Sequence, residues 1–239
     1  MNRDLQTIID HINQTFEAKS AIRDQTLKRS RELIRACANA IRATHRSDDE
    51  VAQVLLQAAR EAAAEMTADA QTFPEVYYAG YTQDALKELA EAHLTRAIIL
   101  GEALPDPDSL NIEHAAYLNG LAEAAGELRR FALDALRRGD VAQAEVILSR
   151  MDDIYSVLIT VDFPSAITGG LRRNTDMVRG VLERTRGDVT TAVRQEAMKD
   201  ALRRFEQRIG MSADSIETAE LFIDESNADE ALENDAADG

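Results

Sequence analysis

The sequence is poor in the residues that build cross-linked or aromatic-rich folds. It contains a single cysteine, Cys37, which excludes an intrachain disulfide and argues against a thiolate metal site. We expect Cys37 to be a small buried hydrophobe. Only 4 Pro and 11 Gly interrupt the 239 residues, and aromatic residues make up 5% with no Trp. Ala, Leu, Arg and Glu dominate instead, a composition typical of a helical protein.

Long apolar runs are also missing. No window reaches the apolar length that a membrane span requires, and the first ten residues, MNRDLQTIID, lack the apolar core of a signal peptide. We therefore expect a cytoplasmic protein without a membrane partner. Hydrophobic residues still make up 45% of the chain, enough for one substantial core.

Lysine is scarce and the charge is uneven. Only four of the 27 basic residues are Lys, and the net charge is −16. Residues 211–239 contain ten acids and no Lys or Arg, which leaves −6 for residues 1–210. Because the acidic tail has no sustained apolar face, we predict that residues 211–239 are disordered and that residues 1–210 form the folded domain. The negative charge at first argues against a nucleic-acid partner.

Apolar residues recur at helical spacing through residues 1–210, and no strand-like alternation is present. The pattern predicts an all-α single domain of seven helices. Ser47 and Glu50 fit a capping box at the start of the second helix. The second predicted helix runs from the capping box at residues 47–50 to residue 69. The others span residues 2–46, 74–103, 111–138, 140–161, 170–186 and 188–208.

Two pairs of glutamates have helical spacing. Glu88 and Glu91 are three residues apart, and Glu123 and Glu127 are four apart, so each pair lies on one face of its helix. Four carboxylates from two helices would form a hard oxygen-ligand site of the kind that Mg²⁺ or Mn²⁺ favours. Spacing alone leaves a second interpretation open, in which each pair belongs to a solvated helix face.

Other catalytic signatures are absent from the sequence. No His lies three residues after a Glu, so the Glu-x-x-His motif of di-iron bundles is missing. The chain has no phosphate loop, dinucleotide fingerprint, H-E-x-x-H motif or nucleophile elbow. A metal site made of the glutamates would need no His or Lys as a general base.

Basic residues cluster on the first predicted helix, where they form either a solvated face or a phosphate-binding stripe. Arginine suits the second role because its fork pairs bidentately with phosphate. The candidates for phosphate contact are Arg23, Arg31, Arg35, Arg42, Arg129 and Arg130. Tyr77 and Tyr78 could stack bases or, alternatively, pack against the first helix.

Several segments resemble the translin and translin-associated factor X (Trax) family. Residues 23–46 resemble its first-helix signature, and FPEVYY at residues 73–78 resembles the segment before its third helix. LKELAEA at residues 86–92 is similar to the Trax helix that carries two glutamates. YLNGLAEAAGEL at residues 117–128 resembles the Trax pattern Y-L-x-G-x-A-D-x-x-G-E-L, and the similarity extends over about residues 20–205.

The resemblance implies a seven-helix fold that assembles into a closed, typically eight-subunit shell. Translin subunits bind single-stranded RNA and DNA, and Trax subunits are Mg²⁺-dependent endoribonucleases. By position, Glu88 and Glu91 match the Trax glutamate pair and Glu127 matches the acid of G-E-L. Glu123 stands where Trax has an Asp, which keeps the ligand chemistry and lengthens the side chain by one methylene.

The resemblance therefore predicts a metal-dependent endoribonuclease that cleaves single-stranded RNA inside an oligomeric shell. Glu88, Glu91, Glu123 and Glu127 would be its catalytic residues and its ligands for Mg²⁺ or Mn²⁺. The alternative is a non-catalytic single-stranded RNA- or DNA-binding protein of the translin type, which would not need the acidic set. The sequence leaves open whether a related paralogue subunit joins the assembly.

Overall fold

Helices account for all the regular secondary structure in the described chain. The computed structural model describes residues 2–209, and no strand is present in that range. The tail for which disorder is predicted lies outside the described residues. The described helices are α1 (Asn2–His45), α2 (Asp49–Ala70), α3 (Pro74–Tyr77), α4 (Gly80–Leu100), α5 (Pro107–Leu110), α6 (His114–Arg137), α7 (Val141–Leu158), α8 (Ser165–Thr168) and α9 (Leu171–Ile209). The predicted all-α class is confirmed.

The described residues form nine helices where seven are predicted, because the short helices α5 and α8 lie in segments between predicted helices and two longer helices are divided differently. The helix predicted over residues 74–103 is divided into α3 and α4, because Ala79 has an extended backbone (φ −66°, ψ 147°). The two helices predicted over residues 170–186 and 188–208 form the single helix α9. A helix passes through Gly187 at a cost of only about 1 kcal/mol relative to Ala.

The predicted capping box at the start of α2 is wrong. Ser47 has a left-handed backbone with φ 58°, and Asp48 is the N-cap residue without a side-chain capping bond. Asp49 instead accepts two bonds from Arg96, at 2.7 and 3.0 Å, and Arg96 also donates to Glu102 at 2.6 Å. This ion-pair network connects the start of α2 with α4 and with Glu102, which follows α4. Arg96 is only 9% exposed, so the network is largely shielded from water.

The chain divides after Val189 into two units. In the first unit, α1 packs against α2 and α4, α4 packs against α6, and α6 packs against α7. Alanine is frequent at these contacts, and small side chains allow helix axes to approach closely. The largest fully buried side chains include Leu33, Met66, Leu86, Leu89, Leu94, Leu128, Ile147, Met151, Leu158, Leu171 and Leu182.

The described part of the second unit is the end of α9, residues 190–209. Met198, Leu202 and Phe205 are exposed there. Across residues 2–209, none of the helices combines the length and apolarity needed to cross a membrane.

Candidate metal centre

A glycine lets the two glutamate-bearing helices approach each other. A Cβ atom placed on Gly120 of α6 would lie 2.6 Å from the Lys87 carbonyl oxygen and 3.0 Å from the Glu91 amide nitrogen. Such a contact with backbone leaves no room for a side chain. The backbone of α4 that carries Glu91 therefore lies directly against α6, about one turn before Glu123.

Three of the four predicted glutamates converge. Glu88 and Glu91 of α4 and Glu123 of α6 each offer a carboxylate oxygen, and these oxygens lie within 4.8 Å of one another. Glu91 is only 9% exposed as a whole residue, whereas the side chains of Glu88 and Glu123 are 28% and 27% exposed. The convergence favours the metal-site interpretation over two separate solvated helix faces.

Lys87 is a cation inside this cluster that the sequence interpretation missed. Its Nζ donates to Glu123 Oε1 at 2.8 Å and lies 4.0 Å from Glu88 Oε1. Burial acts against the lysine charge, but the hydrogen bond and charge of Glu123, with Glu88 and Asp84, raise the pKa of Lys87. One signal was present in the sequence: Lys87 and Glu91 are four residues apart, so they share a helix face.

The pKa values of both glutamates of α4 are raised above the ordinary glutamate value. Burial, followed by the charges of Glu88, Glu123 and Glu127, raises the pKa of Glu91 to about 8. Burial also raises the pKa of Glu88, while the nearby Lys87 charge opposes the shift. Like charges at short range disfavour ionisation, so a divalent cation that neutralised them would bind favourably.

Glu127, the fourth predicted ligand, pairs with a histidine. Its Oε2 lies 2.5 Å from His45 Nε2 at the end of α1, and the His45 side chain is 5% exposed. The hydrogen bond with His45 lowers the pKa of Glu127 although burial acts in the opposite direction. No local pattern indicates this pair, because His45 follows a basic run and lies 82 residues from Glu127.

The donor set fits a hard divalent cation. Carboxylate oxygens are the ligands that Mg²⁺ and Mn²⁺ prefer. Opposite ligands around Mg²⁺ are about 4.2 Å apart when each bond is about 2.1 Å long. Oxygens within 4.8 Å of one another therefore need only small side-chain rotations to bind one ion. The buried thiol of Cys37 is not suited to join them, since burial and then the Glu88 and Glu91 charges raise its pKa to about 12.

Three of the predicted phosphate-binding arginines on α1 share an exposed face. Arg31, Arg35 and Arg42 are exposed, and their spacing of four and seven residues places them on one side of the helix. Arg23 is also exposed, and it pairs with Asp24 at 2.9 Å. The assignment of these four arginines to RNA stays a prediction.

The two predicted arginines on α6 have protein partners. Arg129 bonds to Asp188 at 2.8 Å and to Thr185 at 3.0 Å, so it attaches α6 to the first half of α9. Arg130 is 56% exposed in its side chain and lies 3.8 Å from Glu127. Arg130 is therefore the more accessible of the two beside the acidic cluster, and its contact with RNA likewise stays a prediction.

The chain is similar to solved structures of C3PO proteins. It is 35% identical to AfC3PO, and the solved complex of AfC3PO with duplex RNA has a TM-score of 0.72 over 77% of this chain and 95% of that one. The structure of AfC3PO itself has a TM-score of 0.71, and the match covers 77% of this chain and 96% of that one. Apo-NeC3PO, at 18% identity, has the same fold, with a TM-score of 0.71 over 77% and 96%.

One relative of similar length comes from Methanocaldococcus jannaschii. This uncharacterized protein is 34% identical over 196 residues, which cover 81% of this chain and 86% of the relative. No protein-family model matches the chain. The fold and the site define an all-α protein with an acidic centre between two closely packed helices. With these identities and this coverage, the chain belongs to the translin/C3PO-type family.

Replacing Lys87 should change metal binding. Lys87→Met removes the cation that neutralises Glu123, so Mn²⁺ would no longer compete with an internal charge. Two charges 4 Å apart interact by about 4 kcal/mol at an effective dielectric constant of 20. We expect the variant to gain about a third of this energy in Mn²⁺ binding, which corresponds to a Kd about tenfold lower. Isothermal titration calorimetry measures the affinity.

Lys19→Met is the matched control for this experiment. Lys19 forms an ion pair with Glu75 at 2.8 Å, away from the cluster, so its loss should leave the Kd for Mn²⁺ unchanged. A Lys87→Met protein that binds Mn²⁺ as wild type does would contradict competition between the ammonium group and the ion.

Proposed function

We propose that the protein is a Mg²⁺- or Mn²⁺-dependent endoribonuclease, Trax-like at its acidic site, that cleaves single-stranded RNA. The observation that carries the proposal is the convergence of Glu88, Glu91 and Glu123 in a chain of the translin/C3PO-type family. RNA as the polymer is supported by AfC3PO, whose solved complex contains duplex RNA. Preference for a single strand follows from the resemblance to Trax.

Glu88, Glu91 and Glu123 would hold the ion, with Glu127 as a further ligand or as a group that orients water. When bound, Mg²⁺ or Mn²⁺ supplies an activated water and offsets charge on the scissile phosphate. Glu91 must release the proton that its raised pKa retains. The bond from His45 holds the Glu127 carboxylate in its charged form next to the other three acids.

The RNA backbone would be bound by arginine. The exposed face of α1 with Arg31, Arg35 and Arg42 offers three guanidinium groups in a row, and Arg130 offers one beside the acidic cluster. Phosphate contacts of this kind make binding dependent on salt. Arg23 and Arg129 remain in the proposed set, although each would have to exchange an acidic partner for phosphate.

We propose further that the protein self-associates, as the resemblance to an eight-subunit shell implies. The first part of α1 exposes Leu5, Ile8 and Phe16, between 55% and 62% of each, with no other described helix covering them. Apolar stripes of this kind are typical of interfaces. Light scattering should give the mass of a multi-subunit particle, and a monomeric mass would contradict the proposal. A paralogue subunit and a cytoplasmic location remain part of the prediction.

Metal removal tests the activity directly. Labelled single-stranded RNA should be cleaved in Mg²⁺ or Mn²⁺ and left intact with EDTA, because the three carboxylates cannot activate water without an ion. Denaturing gels measure the cleavage. Equal cleavage in EDTA would exclude the proposed site as its source.

The second candidate is a non-catalytic protein that binds single-stranded RNA or DNA. Lys87 favours it, since an internal ammonium 2.8 Å from Glu123 already neutralises part of the cluster. In that case the RNA would shift on a native gel and remain uncleaved with every metal. The same samples therefore separate the two candidates.

A further inference from the structure

A groove opens beside the acidic cluster, between the starts of α4, α6 and α9 and the short helix α8. Its volume is about 790 Å³. Lys87 and Glu123 line it, and so do Tyr78 and Gly80 at the start of α4. Because an α-helix rises 1.5 Å per residue, Gly80 and Lys87 are about 10 Å apart along α4. The groove is thus continuous with the candidate metal centre and extends away from it.

The two adjacent tyrosines have different surroundings. Tyr77 is 8% exposed and belongs to a small buried cluster against which Ile22 of α1 packs. It donates its hydroxyl to Glu113 Oε1 at 3.1 Å. Tyr78 is 63% exposed, and its ring is nearly perpendicular to that of Tyr77, with the centroids 4.8 Å apart. The fixed ring of Tyr77 therefore supports that of Tyr78, whose remaining surface is accessible at the groove.

The charges on the groove wall favour a base over a phosphate. Asp84, Glu113 and Glu123 line it, against the single lysine Lys87. Three carboxylates repel a phosphate, whereas an uncharged base is not repelled. Asn174 also lines the groove; its Nδ2 donates to Asn119 Oδ1 at 2.9 Å, and its amide oxygen is an acceptor for a base edge.

From this geometry we infer that the groove is a subsite for one unpaired base of the RNA strand, stacked on Tyr78. The inference rests on the proposed function, since it places the neighbouring scissile phosphate at Glu88, Glu91 and Glu123. Bases within a duplex are already stacked on their neighbours and cannot take up this position. The subsite thereby makes the acidic centre selective for a single strand.

The test measures RNA binding in EDTA, so that cleavage does not interfere. Fluorescence anisotropy compares the full chain with Tyr78→Leu, Tyr78→Phe and Phe163→Leu, using a labelled oligoribonucleotide and a series in which one abasic nucleotide is moved along it. Phe163 is the control because it is 65% exposed and does not line this groove. The same strand annealed to its complement serves as the duplex probe.

We expect Tyr78→Leu to weaken binding of the single strand about tenfold, since stacking on an aromatic side chain contributes roughly that factor per base. Tyr78→Phe, which keeps the ring, and Phe163→Leu should stay within about twofold of wild type. One position of the abasic nucleotide should weaken RNA binding by the wild-type protein by the same factor. At that position the abasic nucleotide should weaken RNA binding by Tyr78→Leu no further. Duplex binding should be equal in all variants.

Two results would overturn the subsite without touching the proposed function. One is RNA binding by Tyr78→Leu as tight as that of wild type. The other is a changed particle mass for Tyr78→Leu in light scattering, which would place Tyr78 in a subunit interface. If the wild-type protein binds no RNA at all, the proposed function fails first, and the subsite fails with it.

Discussion

Glu88→Gln combined with Glu91→Gln should lower RNA cleavage in Mn²⁺ by at least about 100-fold. Loss of even an outer partner of a metal ligand commonly costs about 10–100-fold, and this variant removes two charged ligands. Cleavage rates at saturating RNA measure the effect, and calorimetry should show correspondingly weak Mn²⁺ binding. Cleavage at the wild-type rate would remove both glutamates from the catalytic site.

The same variant should keep its fold in the absence of metal. Glu91 is buried among like charges that raise its pKa to about 8, so a neutral amide relieves repulsion above that pH. The melting temperature at pH 9 should accordingly be equal to or higher than that of wild type. Glu145→Gln on α7 is the control, because Glu145 is exposed, does not line the groove beside the cluster and is not one of the three converging acids.

Gly120→Ala should destabilise the protein and impair the metal centre together. The added Cβ would lie 2.6 Å from the Lys87 carbonyl oxygen and 2.7 Å from Ala90 Cβ, so α4 and α6 must move apart. Overpacking of this kind costs about 1–3 kcal/mol. Separation of the helices also moves Glu123 away from the glutamates of α4. Thermal denaturation and Mn²⁺ titration measure the two effects.

Gly126→Ala provides the matched substitution on the same helix. A Cβ at Gly126 meets nothing within 4 Å, so this change should stabilise α6 by up to about 1 kcal/mol through its helix propensity. If Gly120→Ala melts at the same temperature as Gly126→Ala, the close approach of α4 and α6 does not determine the geometry of the site.

The helices could be predicted from the sequence because their signals are local. Apolar spacing identified α1, α2, α6 and α7 to within a few residues. Asp140 caps α7 by accepting from the Gln143 amide at 3.0 Å. The errors were also local in origin. A break is predicted at Gly187 because glycine is a weak helix former. In the structure α9 continues through Gly187, and the next residue, Asp188, pairs with Arg129 of α6 at 2.8 Å.

The sequence also determines that the two glutamates of each pair lie on one face of their helix, since helical periodicity decides which residues share a side. Whether the two faces meet was decided by tertiary packing. Lys87 bonds to Glu123 across 36 positions and His45 to Glu127 across 82. Such pairs depend on how closely α1, α4 and α6 approach, which the absence of a side chain at Gly120 permits. Helical spacing has no information on that distance, so only the folded structure brings three carboxylates and a lysine together.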